Sequence, residues 1–205
     1  MGDRAFSRDP REIAVLARAA LEGLAAGGVT GCIKHMPGHG RAEADSHLAL
    51  PRVTATAEAL ETDIFPFHAL ADAPAAMTAH IMFDAWDGKR PATCSPTVIE
   101  EIIRGRIGFQ GLLMSDDLDM KALAYAIDGG LDARAQAALG AGCDVVLQCS
   151  GVLADMEAAA LGCVTLAGLS LVRARASEAY AKRAPEAFDA PSGWARFNEL
   201  LSYAA

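Results

Sequence analysis

Four apolar runs, each with a helix-like stretch before it, recur through the chain: VTGCIKH (Val29 to His35), AAMTAHIMF (Ala75 to Phe83), GLLMSDD (Gly111 to Asp117) and CDVVLQC (Cys143 to Cys149). This alternation constrains the fold more than any other feature, because strands joined by crossover helices lie parallel and are covered by those helices. The helix before the first run opens at Asp9 and Pro10, with Glu12 three positions after the cap. That combination supplies a side-chain acceptor, a proline whose missing N–H costs nothing, and a carboxylate able to reach back. Gly27 and Gly28 stop the helix. Further helices are expected from about Ala57 to Leu70, from Ser95 and Pro96 onward, and from about Asp132 to Leu139. Beyond Gly151 the chain reads as mostly Ala-rich helix, and with no linker in view residues 1 to 205 are expected to form a single domain.

The polar residues gather where these strands end. Lys34 and His35 close the first, His80 lies toward the end of the second, Asp116 and Asp117 close the third, and Ser150 follows the fourth. In a (β/α) barrel the C-terminal rim houses the chemistry, since each strand aims a side chain at the axis while the loops vary. A doubly wound sheet also binds ligands at strand ends, but no strand here is followed by a GxGxxG turn. The expected class is therefore α/β, of the (β/α)8 TIM-barrel type. A closed barrel needs eight strands and roughly 250 residues, whereas four strands are found in 205 residues. The chain is expected to hold about the last four β/α units plus C-terminal helices, with sheet edges and one apolar face left for something else to cover.

Composition removes several classes of function. The net charge is −8, with 18 Lys and Arg scattered among 26 acidic residues, which disfavours nucleic-acid binding because phosphate contacts need a clustered basic surface. A small or neutral substrate fits better. Five cysteines, an odd number without a CxxC pair, read as reduced thiols rather than a disulfide frame or zinc knuckle. No apolar run approaches the ~18 residues of a membrane span, and the charged start MGDRAFSRDP has no signal-peptide core. The expected location is the cytoplasm.

The stretch KHMPGHGRAEADSH, Lys34 to His47, carries three of the five histidines. Pro37, Gly38 and Gly40 forbid a regular helix, so His35 and His39 cannot share a helical face as zincin ligands do. Asp45 and His47 point the same way if their segment is extended. The carboxylate then raises the imidazole's basicity, so that His47 gives and takes a proton near neutral pH. In LLMSDDLDM adjacent strand residues face opposite sides, so one of Asp116 and Asp117 looks into the mouth while the other caps a helix or binds backbone.

These residues carry a family resemblance. KHMPGHGRAEADSHLALP followed by GFQGLLMSDDLDM, together with GDRAFSRDP and MTAHIMFDAWD, resembles the glycoside hydrolase family 3 β-N-acetylhexosaminidases, of the bacterial cytoplasmic type that serves peptidoglycan recycling. The resemblance runs from Gly2 to about Ser150, and within the loop only Met36 departs, standing where the family usually has an aromatic residue. It implies a TIM-barrel glycosidase without cofactor or metal, acting on a small sugar substrate. The reaction implied is retaining hydrolysis of terminal, non-reducing β-linked N-acetylglucosamine from GlcNAc-anhydro-N-acetylmuramic acid and its peptides. By position, Asp116 matches the nucleophile, His47 the general acid/base and Asp45 its partner, while Lys34, His35 and Arg4 match residues that hold the sugar. The family's first four strands, with an aspartate and a further arginine used on the sugar, have no counterpart in this chain.

Two other readings use the same residues. His35, His39, Asp45 and His47 could serve a metal-dependent hydrolase, imidazole and carboxylate in one loop being suited to zinc. A half-barrel could also bind sugar or another subunit without turnover.

Overall fold

The computed structural model describes residues 5–42 and 50–202. Helix α1 (Pro10–Ala26) leads to strand β1 (Cys32–Met36), and β2 (Arg52–Val53) precedes α2 (Ala57–Ala69), which leads to β3 (Ala75–Thr78). The short strands β4 (Met82–Phe83) and β5 (Asp87–Pro91) come before a widened, π-type helix, Val98–Arg106, that leads to β6 (Leu112–Asp117). Then follow α3 (Lys121–Ala126), α4 (Leu131–Ala141), β7 (Val145–Leu147), α5 (Leu153–Leu161), α6 (Gly168–Ala181) and α7 (Ala190–Ser202).

Strands β1, β3, β6 and β7 form one sheet in that order, every pair parallel. It contains the four expected strands, each reached through a helix. Its outward-facing residues Ile33, Ala76 and Leu113 are buried, in one apolar core with Leu60 and Ile64 of α2, Ile99 and Ile103 of the π-type helix, and Ala135 and Ala138 of α4. Lys34, Met77, Met114 and Val145 stand in register across the sheet and occupy the opposite face. Met114 and Val145 there are only half-buried and Lys34 is exposed, so the outer face is covered by helices while the inner one is partly open. At the two flanks, Val15, Leu16 and Leu24 of α1 and Leu153, Met156 and Leu161 of α5 are also exposed.

Local chemistry follows the sequence at most helix ends and departs from it at a few. Asp9 Oδ1 accepts from Arg11 N at 2.8 Å, but Glu12 does not reach the Asp9 amide. Ser7 stands between them, accepting from Asp9 N and donating its hydroxyl to Glu12 Oε2 at 2.6 Å. Ser95 Oγ accepts from Val98 N at 3.1 Å, capping the π-type helix as its place before Pro96 suggests. Gly142 ends α4 at φ 116°, a left-handed conformation that favours glycine. The run AAMTAHIMF is not one strand. It leaves the main sheet after Thr78, and Met82 and Phe83 join a second, three-stranded sheet in the order β2-β4-β5.

The base of the main sheet is tied by a buried charge that none of the sequence patterns singles out. Asp144, just before β7, accepts from Leu113 N (2.9 Å), Arg104 (2.8 Å), Ser170 Oγ (2.7 Å) and Arg173 (3.0 Å). Ser170 and Arg173 belong to α6, and farther along that helix the Ser177 carbonyl accepts from Thr30 Oγ1, two residues before β1. Helix α6 thus crosses beneath the strand starts from β7 to β1. A hollow of about 290 Å³ remains between α6 and the chain at Pro74 and Gly111, at the end of the sheet away from the polar tips.

Burial raises the Asp144 carboxyl, but the Leu113 amide, the Ser170 hydroxyl and the two arginines more than offset this and hold it below the usual carboxylate range. A carboxyl depressed on folding contributes stability that is present above its unfolded value, about pH 4, and is lost as pH falls through the folded value. Replacing Asp144 by Ala, which leaves Arg104 buried without its partner, should cost about 3–5 kcal/mol in urea unfolding. Asp144→Asn should flatten the fall in stability below about pH 4 relative to the unmodified chain.

Candidate active site

Strand β1 brings Lys34 and His35 to the C-terminal end of the sheet, where the Lys34–His35 and Met36–Pro37 peptide bonds are both cis. Strand β6 brings Asp116 and Asp117 to the same end. Lys34 and Met114 share a row of the sheet, and beyond them the register shifts, between Lys34 and Met36 in β1 and between Met114 and Asp117 in β6. His35 Nε2 stands 3.6 Å from Asp116 Oδ2, with the side chains 9% and 17% exposed. A pair this close meets at a mouth that solvent still reaches.

The two aspartates divide their tasks. Asp117 Oδ1 accepts from the amides of Asp119 (3.2 Å) and Cys149 (3.1 Å), tying the tip of β6 to the segment after β7. The Asp117 amide in turn donates to Asp116 Oδ1 at 2.9 Å. Asp117 therefore binds backbone while Asp116 keeps Oδ2 toward His35.

The loop after β1 is held from below. Arg41 pairs with Asp63 of α2 at 2.7 Å and also donates to Ala59 O. Gly38 has φ 148°, and a Cβ there would come within 3.3 Å of Asp63 Cβ, so the chain passes close over α2 where only glycine fits easily. The His39 ring lies edge-on to His35, with centroids 5.6 Å apart. Arg4, Asp45 and His47 lie outside the described residues. Among the described residues no three His, Cys, Asp or Glu side chains converge as metal ligands, and two of the four candidate ligands, Asp45 and His47, are not among them.

One buried residue here was placed by the sequence without a task. His80, 1% exposed, joins Thr93 through Nδ1 (2.8 Å) and the Asp117 carbonyl through Nε2 (3.0 Å). Burial pushes the imidazole below its usual range, against the opposing pull of the Asp117 carbonyl and of Asp116 and Asp117. Thr93, fully buried on the short turn Ala92–Cys94, also meets Thr78 Oγ1 at 2.8 Å. A histidine inside the apolar run MTAHIMF is the one sequence signal for this group; Thr93 in PATCSP carries none.

The geometry can be set beside known proteins. Residues 1–170 match the model of the glycosyl hydrolase family 3 N terminal domain. The chain is 47% identical over 153 residues to a β-hexosaminidase from Bordetella avium, covering 73% of this chain and 43% of that protein. Among solved structures, a family 3 β-N-acetylglucosaminidase from Paenibacillus sp. str. FPU-7 superposes with a TM-score of 0.76 at 31% identity, over 88% of this chain and 37% of that one. NagZ from Neisseria gonorrhoeae, in complex with N-trifluoroacetyl-D-glucosamine, superposes with a TM-score of 0.74 at 36% identity, over 86% and 51%. The chain thus spans less than half the length of the curated relative, and its four parallel units correspond to part of a TIM-barrel domain. By the match of most of its residues to one family model, the chain belongs to glycosyl hydrolase family 3.

Proposed function

We propose that the tips of β1, β3, β6 and β7 are the catalytic part of a β-N-acetylhexosaminidase, which hydrolyses terminal, non-reducing β-linked N-acetylglucosamine with retention. The observation that carries this reading is the approach of His35 to Asp116 within 3.6 Å at the C-terminal mouth, next to Lys34 at the tip of β1. The names of the relatives, β-hexosaminidase and β-N-acetylglucosaminidase, support it.

In this reading Asp116 attacks the anomeric carbon through Oδ2, and the bond to the leaving oxygen breaks as His47 protonates that oxygen. Water then attacks the glycosyl-enzyme, His47 takes its proton, and the Asp116 carboxylate is released. Most retaining glycosidases use a second carboxylate about 5–5.5 Å from the nucleophile. An imidazole in that role is neutral when it acts as base, so it does not repel the carboxylate regenerated beside it. Asp45 would orient His47, and Lys34, His35 and Arg4 would hold the sugar hydroxyls. The substrate would be GlcNAc-anhydro-N-acetylmuramic acid and its peptides, met in the cytoplasm during peptidoglycan recycling. Among the described residues no helix is long and apolar enough to cross a membrane.

The partly open inner face favours a second reading for the chain by itself, sugar binding without turnover. Release of nitrophenol from 4-nitrophenyl β-N-acetylglucosaminide separates the two, measured on the chain alone and on a protein carrying all eight strands. In the eight-stranded protein Asp116→Ala should lower kcat by at least about 10³-fold; an unchanged rate would overturn the assignment. His47→Ala should slow a glycoside with a poor leaving group at least about tenfold more than the nitrophenyl one, since the acid matters most when the leaving oxygen needs a proton. Equal losses on both substrates would remove His47 from the acid role.

A further inference from the structure

His80 belongs to no element of the mechanism above, yet it is buried directly behind the aspartate pair. A carbonyl oxygen only accepts hydrogen bonds, so the 3.0 Å contact to Asp117 O requires a proton on His80 Nε2. In a neutral ring Nδ1 then carries none and must accept, and the group facing it is the Thr93 hydroxyl at 2.8 Å. Thr93 has one proton to give. With that proton on His80, the 2.8 Å contact between the threonines is satisfied by Thr78 donating to Thr93. In the charged ring the direction reverses: Nδ1 donates to Thr93, whose proton goes to Ala79 O at 3.1 Å. Burial without a carboxylate in hydrogen-bonding contact favours the first pattern, and desolvation lowers the imidazole accordingly.

The relay ends on a residue fixed from several directions. The Asp117 carbonyl accepts from His80 Nε2 and from Met120 N (3.2 Å), its carboxylate holds the Asp119 and Cys149 amides, and its amide donates to Asp116 Oδ1. The Asp117 amide and carbonyl belong to successive peptide groups that meet at the Asp117 Cα, so fixing the carbonyl limits rotation at the residue whose amide orients the Asp116 carboxyl. We infer that His80 is a positioning residue: as the neutral Nε2–H tautomer set by the Thr78–Thr93 hydroxyl chain, it clamps the Asp117 carbonyl so that the Asp117 amide holds Asp116 in its attacking orientation. The value of this clamp for catalysis rests on Asp116 being the nucleophile. The clamp itself does not.

The test has a spectroscopic arm on the unmodified chain and a variant arm. Long-range 1H–15N correlation of the His80 ring at neutral pH should show a neutral imidazole protonated on Nε2; an Nδ1–H tautomer or an imidazolium would overturn the relay. Glutamine can place an N–H where Nε2 stood, whereas asparagine is one methylene too short. His80→Gln should therefore keep the Asp117 amide resonance near its original position and kcat within about threefold. His80→Asn should move that resonance and lower kcat at least about tenfold with KM little changed. Equal losses in the two variants, with equal melting temperatures, would show that His80 only fills space and would overturn the inference. Should the eight-stranded protein hydrolyse no β-N-acetylglucosaminide, the reading of the site falls, while the tautomer and the Asp117 amide still decide the clamp.

Discussion

Parallel sheets are as a rule covered on both faces, and among the described residues this one is sealed by helices on its outer face and partly open on its inner one. The outward residues Ile33, Ala76 and Leu113 are sealed under α2, the π-type helix and α4. The inward row, running from Lys34 through Met77 and Met114 to Val145, grades from a charge at one edge to half-buried apolar side chains. The alternation of a strand puts the stabilising contacts and the reactive groups on opposite sides of one backbone.

The two ends of the sheet are stabilised by different means. At the base a single buried carboxylate, Asp144, gathers an amide, a hydroxyl and two guanidinium groups, fixing α6 across the strand starts. At the tips the bonds run instead from imidazole to carbonyl, from hydroxyl to hydroxyl and from backbone amides to the two aspartate carboxylates.

Much of this was legible in the sequence, and what was not has physical reasons. The four β/α units follow from period and capping chemistry: Asp9 and Ser95 act locally, and local rules read them. That Asp116 and Asp117 have different tasks is what the twofold alternation of a strand suggests, and the division is kept although the register of β6 shifts between Met114 and Asp117. The break after Thr78 was hidden because Ala79, His80 and Ile81 continue an apolar run while the chain changes sheets, and two-residue strands such as Arg52–Val53 are too short to carry a period. Asp144 reads as one more strand residue in CDVVLQC, since its partners are contributed by positions 104, 113, 170 and 173. Thr93 is likewise invisible until the turn after β5 brings it under His80. The loop residues Asp45 and His47 rest on pattern alone, because they lie outside the described residues.

The exposed leucines on α1 and α5 set a rule for whatever closes this ring. A barrel places one helix in each groove between neighbouring strands. The described residues include a helix before the first strand of the main sheet and one after its last, so in an eight-stranded ring these two would fill the grooves at both edges of this segment. A complement that fits must begin and end on a strand, with four strands and only three helices between them. Two identical halves would fail that count, since α5 of one and α1 of the other would compete for the same groove at each seam.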